Sequence, residues 1–345
     1  MSELRGLATG IGSLPHKDAD SALDLVFKYT PQIPFWPQLP KRDIREGMVA
    51  QFSEGLPCIK VTDKGVVFCP EDKENKLEKF YERIIKKDIE YFSMSADFAP
   101  GLYTFKERLK KLGKNYIKRI KCQITGPFSF AASIKDEKGV ALLHDPLLMQ
   151  AIIEGLKMKA LWQIRFFEGL GKIIVFIDEP YLACLGSAYT PINREDVVGR
   201  LDELAKFITD SGNVQLGVHC CGNTDWSIFT DIKNIDIISF DAFNFLDRLV
   251  LYADSLKRFF QKGGLLCWGI VPTQEFTGKE TVDLLVTRVK DGINTLIKKG
   301  LDKDLLLKNL LLSPSCGLGT LDCETADRIF SFLFEVSSRI KDSFK

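Results

Sequence analysis

KIIVFID, residues 172–178, is a short apolar run rich in β-branched residues that stops on DEP, and VQLGVHC at 214–220 is a second run of the same kind. Runs of this length bounded by turn signals read as strands buried on both faces. The pattern repeats on either side, in YIKRIKCQIT (116–125), IDIISF (235–240), LLCWGI (265–270) and LLLSP (310–314). Longer amphipathic stretches separate the runs, such as DPLLMQAIIEGLKMKALWQIRFFEGL (145–170) and KETVDLLVTRVKDGINTLIKKG (279–300). Strand and helix patterns in alternation are the mark of βα units around a parallel sheet. The first third adds GLATGIGS (6–13) and IPFWPQL (33–39), each followed by helical material, SALDLVFKY (21–29) and KRDIREGMVAQF (41–52). Eight such units, with no linker rich in Pro, Gly or Ser, predict the α/β class and a single (β/α)8 barrel over residues 1–345. An open doubly wound sheet is the structural alternative. IKVTDKGVVF, within residues 56–76, reads as a β-hairpin turning at DKG, and with the charged PEDKENK behind it is expected to be a surface insertion.

Composition narrows the function classes. With 45% hydrophobic residues, 27% charged residues and a formal charge of +1, the 345-residue chain gives no reason to expect nucleic acid or an anionic membrane as a partner. A small-molecule substrate is expected instead. No run reaches the roughly 18 apolar residues of a membrane span, and MSELRGLATGIGSLPH has no secretory leader pattern, so a cytoplasmic location is expected. The nine cysteines are odd in number and widely scattered, which fits reduced thiols better than a disulfide framework.

In a barrel of this kind chemistry gathers at the C-terminal ends of the strands. Those ends carry Ser13, Thr125-Gly126-Pro127, Asp178-Glu179-Pro180, His219 with Cys221, Asp241, Thr273 and Ser315-Cys316. His219 is one of only three histidines. Side chains two apart share a strand face, so His219 and Cys221 point one way and Cys220 the other, toward a helix. Cys316, at a later strand end, supplies a second thiolate. One imidazole and two thiolates suit zinc and leave a coordination position open, which Asp241 at the next strand end is able to close. The competing reading is that buried cysteines are small hydrophobes and nothing more. For Asp178 and Glu179, helix capping competes with catalysis on equal terms. Gly10 and Gly12 are spaced as in a dinucleotide fingerprint, but Pro15 stands at the next glycine position, so no NAD or FAD is predicted. The segment reads either as a backbone nest that, with Ser13, receives a carboxylate, or as a plain turn.

Taken in order, IGSLP, IDEP, HCCGN and SPSCGLGT resemble the C-terminal catalytic barrel of cobalamin-independent methionine synthase, over nearly the whole chain. The HCCGNT segment also resembles methylcobalamin:coenzyme M methyltransferases, relatives of uroporphyrinogen decarboxylase. The resemblance implies a thiol methyltransferase using Zn2+ held by His219, Cys221 and Cys316, with Asp241 where the synthase has a glutamate ligand. It also implies that the Ile11 backbone and the Ser13 hydroxyl hold the carboxylate of homocysteine, and that Asp178 takes its ammonium. Glu46 stands for the family's substrate-binding glutamate, in a segment, REGMVAQF, that matches the family poorly. Two departures bear on the methyl donor. WGIVPTQE (268–275) lacks the histidine expected after that strand, and no counterpart of the family's N-terminal folate-binding barrel is found. A methylated corrinoid, free as methylcobalamin or carried by a corrinoid protein, is therefore the expected donor. The alternatives are a coenzyme M-type thiol methyltransferase, a decarboxylase of the uroporphyrinogen kind, and a non-catalytic zinc- or thiol-binding module.

Overall fold

A computed structural model describes residues 4–112, 117, 119–186 and 192–343. Its strands are β1 (Leu7–Ala8), β2 (Ile59–Thr62), β3 (Gly65–Phe68), β4 (Arg119–Thr125), β5 (Lys172–Asp178), β6 (Val214–Cys220), β7 (Ile237–Phe240), β8 (Leu265–Val271) and β9 (Leu310–Pro314). Seven of them pair in parallel in the order β1-β9-β8-β7-β6-β5-β4. Placing the first strand beside the last is what a sheet does when it curls on itself. Residues 35–38 join the remaining edges, with Ser13 bridged to Gln38 on one side and Phe35 bridged to Lys121 on the other, both in parallel. The expected (β/α)8 barrel is thus the observed architecture, with IPFWPQL in the eighth strand position.

That eighth segment makes bridges rather than a ladder because Pro34 and Pro37 carry no N–H to donate. It uses what remains: Lys121 N donates to the Pro34 carbonyl at 2.8 Å, and Gln38 N donates to the Gly12 carbonyl at 3.1 Å. GLATGIGS is likewise regular only over Leu7–Ala8. Of the expected run 116–125, residues 116 and 118 lie outside the described residues, and the strand is described from Arg119.

Alternation sorts the strand residues into two layers. Ile173, Val175 and Ile177 of β5 and Leu216, Val218 and Cys220 of β6 pack outward into the large core beneath the helices. Ile174 and Phe176 point inward and, with Ile33, Ile237, Leu265 and Leu311, fill the barrel floor. Gly217 lies in mid-strand because a Cβ there would come within 2.8 Å of the Phe176 ring, which fills the space. On β4 the inward positions Lys121, Gln123 and Thr125 are polar, yet each is at most 1% exposed.

Helices Pro146–Phe166, Arg194–Asp210, Val282–Lys298 and Cys323–Ser343 cover the sheet. Residues 41–52 differ from the expected helix and form two short 3-10 turns, Ile44–Glu46 and Ala50–Phe52. Extended Gly47 parts them. The turns let Glu46 and Gln51 both face inward: Glu46 accepts from Leu39 N at 3.1 Å, and Gln51 accepts from Gln38 at 2.6 Å and donates to the Phe98 carbonyl at 2.7 Å. β2 and β3 form the expected antiparallel hairpin, with Thr62 opposite Gly65. Within the charged run after it a helix begins at Lys73. Among the described residues, no helix is long and apolar enough to cross a membrane.

Candidate functional site

Parallel register builds the mouth of the barrel. Asp178 of β5 pairs with His219 of β6, and His219 pairs with Ser239 of β7, so three inward polar side chains stand side by side above the apolar floor. Cys221 follows His219 just past the strand, and Cys316 follows β9. Ligand atoms of His219, Cys221 and Cys316 all lie within 4.8 Å of one another.

The electrostatics of this trio are those of a cation site. His219 is 3% exposed; its Nδ1 lies 3.0 Å from Ser239 Oγ, and its Nε2 is buried with no hydrogen-bond partner among the described residues. A buried ring nitrogen without a partner is costly unless something electrophilic sits against it. Cys221 is held below the ordinary thiol range, above all by the neighbouring Cys316 thiol, and Cys316 is pushed above it by Cys221, so the pair favours one proton between two sulfurs. A pair that keeps one proton between two sulfurs is prepared to lose it to a metal. Two sulfurs and one imidazole nitrogen are the donor set preferred by zinc, with a fourth position open for a substrate atom. The residues present therefore fit the ion that the sequence suggested. Ser239 fixes the ring orientation, a role that commonly changes metal affinity 10- to 100-fold. Ser239→Ala is accordingly expected to weaken zinc binding by about tenfold in a chelator competition titration, with the fold retained.

Asp241 is not part of the trio. Its carboxylate accepts from Asn244 N at 3.0 Å and from Asn244 Nδ2 at 2.7 Å, capping the helix Ala242–Leu249. Direct ligation would require giving up that cap, a cost of about 1 kcal/mol. Cys220 faces away, fully buried in the helix-side core, where burial pushes its thiol up to about 12.

The trio opens into a cavity of about 590 Å³ that Ile11, Ser13, Glu46 and Asp178 also line. Ser13 is fixed by the loop that carries Cys316: its carbonyl accepts from Leu318 N at 2.9 Å and its Oγ from Gly319 N at 3.3 Å. Gly317 permits this approach, since a Cβ there would fall 2.2 Å from Ser13 Oγ. The Ser13 hydroxyl accepts from the protein and so keeps its own proton for a ligand. Asp178 is 7% exposed, its Oδ1 has no partner, and burial raises its pKa to about 6 against the pull of Lys121 and His219. Such a carboxylate calls for a cationic group on a ligand. Glu46 reaches the same cavity, bonded to Arg42 and to Leu39 N, and burial raises its pKa to about 7.

The acidic pair that the sequence left undivided is split by strand alternation. Glu179 turns outward and accepts from Phe128 N and Ser129 N, both at 2.9 Å, capping the helix Pro127–Ser133. Asp178 turns into the cavity. Sequence reasoning missed Ser239, Lys121 and Gln274. Ser239 was available from period two, two residues before Asp241 on the same face. Gln274, in the segment that lacks the expected histidine, lines the cavity and sits 3.3 Å from Thr320 Oγ1.

No family model matches the chain. A methionine synthase of Methanocaldococcus jannaschii is 27% identical over 236 residues, which cover 67% of this chain and 68% of that protein. Among solved structures, a B12-independent methionine synthase from Shewanella sp. W3-18-1, in complex with selenomethionine, superposes with a TM-score of 0.62 at 16% identity, covering 99% of both chains. The chain is thus similar in sequence to one methionine synthase and in fold to another. A methyltransferase from Methanosarcina mazei has the same fold, with a TM-score of 0.53 at 15% identity over 95% of this chain and 84% of that one.

Proposed function

We propose that this chain is a methyltransferase that methylates a small thiol, homocysteine to methionine, with zinc held by His219, Cys221 and Cys316. The observation that carries the reading is the gathering of these three side chains in one cavity with Ser13 and Asp178. Relatives that are a methionine synthase and a methyltransferase support the reaction class. Zinc, when bound, supplies the Lewis acidity that keeps a substrate thiol ionised at neutral pH.

The protein's own residues do the positioning. Asp178 accepts from the substrate ammonium, the Ser13 hydroxyl donates to its carboxylate, and Glu46, which lines the same cavity, is a further polar contact for the substrate. With the ammonium and carboxylate of the amino acid held at one end and its sulfur at the metal site, the sulfur is fixed in line with an incoming methyl group, which removes much of the entropic cost of a bimolecular displacement. The sulfur lone pair forms the new S–C bond while the bond from carbon to the donor breaks, and its electron pair leaves with the donor. No covalent intermediate with the protein is needed.

The donor we infer is a methylated corrinoid, free or on a corrinoid protein, because cobalt leaves as Co(I) without a proton. A folate leaving group takes up a proton, and on this side of the cavity stands Gln274, an amide rather than an acid. The test pairs homocysteine or coenzyme M with methylcobalamin or methyltetrahydrofolate, with zinc measured on the same sample. Methionine formation from homocysteine and methylcobalamin is expected. Turnover with methyltetrahydrofolate alone would overturn the donor, preference for coenzyme M would overturn the acceptor, and a zinc-replete protein inactive with every thiol would overturn the enzyme reading.

A further inference from the structure

We propose that Lys121 is the positioning residue of the carboxylate subsite, gripping the Ile11 carbonyl from inside the barrel so that the turn through Ser13 is presented to an anionic group. The inference rests on the reading that this turn receives the carboxylate of a thiol amino acid.

Lys121 sits at an inward position of β4 and is 1% exposed. An ammonium in a barrel interior costs several kcal/mol unless it is well partnered. Its partners all direct it to one place. Nζ donates to the Ile11 carbonyl, lies 3.4 Å from Gln123 Oε1 and sits 4.8 Å above the Phe176 ring. Phe176 belongs to the apolar floor, which makes no demand for charge. What the lysine holds is the peptide between Ile11 and Gly12. That peptide is trans, as are the others described, so an oxygen held by Lys121 turns the Gly12 N–H away from the lysine. Ile11 and Ser13 both line that cavity.

The charge contributes as well as the bond. Burial pushes the Lys121 pKa down from its ordinary value, whereas the Asp178 carboxylate, and an anion above the turn, favour its charged form. Asp178 is the acidic group that faces Lys121. The cavity therefore presents a cation on the carboxylate side and a carboxylate for the ammonium, complementary to the two charges carried by the α-carbon of an amino acid. Removing the lysine weakens the first contact and leaves Asp178 in greater need of a cation.

The experiment compares three thiols by calorimetric titration into zinc-replete protein at pH 8: homocysteine, 4-mercaptobutanoate, which lacks the ammonium, and 3-aminopropane-1-thiol, which lacks the carboxylate. Lys121→Met keeps the volume and removes the charge. Its affinity for homocysteine and 4-mercaptobutanoate is expected to fall at least about tenfold, as for a lost charge-assisted contact, while 3-aminopropane-1-thiol stays within about threefold. Zinc content and melting temperature are measured alongside, and Lys121→Gln, which keeps a donor, carries the test if the methionine variant does not fold. An equal loss for all three thiols, or none for any, would overturn the assignment, as would a wild-type protein with no preference for the carboxylate-bearing thiols. Turnover of the wild type is followed separately: preference for a carboxylate without methyl transfer would remove the proposed reaction and leave the role of Lys121 standing.

Discussion

Cys316→Ser is expected to release zinc and to lower methyl transfer to a thiol by at least about a thousandfold, because a serine hydroxyl does not ionise in the range where a thiol does and offers a hard oxygen where the site needs a soft donor. His219→Ala is expected to do the same by a different route, leaving two thiols with no nitrogen donor. Both effects follow from the geometry: three ligand atoms within 4.8 Å of one another, drawn from two strand ends, while the Asp241 carboxylate is engaged by Asn244. Cys220→Ala is the control. That thiol belongs to the helix-side core, so its loss is expected to change stability while zinc stays bound. Zinc is measured by elemental analysis after dialysis against a chelator, and activity on the same preparation. A Cys316→Ser protein that turns over normally without metal would eliminate the zinc mechanism.

Which parts of this site were readable from sequence follows from how strongly local chemistry constrains the chain. KIIVFID and VQLGVHC match β5 and β6 residue for residue, because strands covered by helices outside and packed inside have apolar side chains at almost every position and end sharply at polar turns. His219 and Cys221 were legible for the same reason, since period two assigns their face without any tertiary information. IPFWPQL and residues 41–52 were less legible. The first has prolines that forbid a ladder. The second has a helix-like pattern, yet Glu46 and Gln51 are held inward by Leu39, Gln38 and Phe98, partners that no local pattern encodes. Asp241 shows a different limit. A strand end that is also a helix start places a carboxylate where it serves equally as a ligand or as a cap, and the choice depends on Asn244 three residues on, which the strand pattern does not weigh. Lys121 was hidden in YIKRIKCQIT, where it follows Lys118 and Arg119 and reads as one more exposed basic residue until the barrel closes around it.

Asp178→Asn tests the other end of the amino-acid site. The substitution keeps size and hydrogen-bonding capacity but removes the negative charge that faces the substrate ammonium. A hydrogen bond to a charged partner contributes about 1.5–3 kcal/mol, so homocysteine affinity is expected to fall by about 10- to 150-fold. Affinity for 4-mercaptobutanoate, which has no ammonium, is expected to change less than about threefold, the reverse of the pattern for Lys121→Met. Zinc is expected to stay, since Asp178 lies outside the His219, Cys221 and Cys316 trio. The pH dependence supplies a sign that packing effects would not. Burial lifts Asp178 to about 6, above the usual carboxylate range, so above that pH the wild type carries the charge and the full gap between wild type and Asp178→Asn is seen. As pH falls through about 6 the wild-type carboxylate takes up a proton and comes to resemble the amide, and the gap narrows. Taking the ratio of the two proteins at each pH cancels the protonation of the free substrate sulfur, which is common to both. A ratio that stays constant across pH 5–8, or an equal loss for both thiols, would show that Asp178 shapes the pocket without receiving the ammonium.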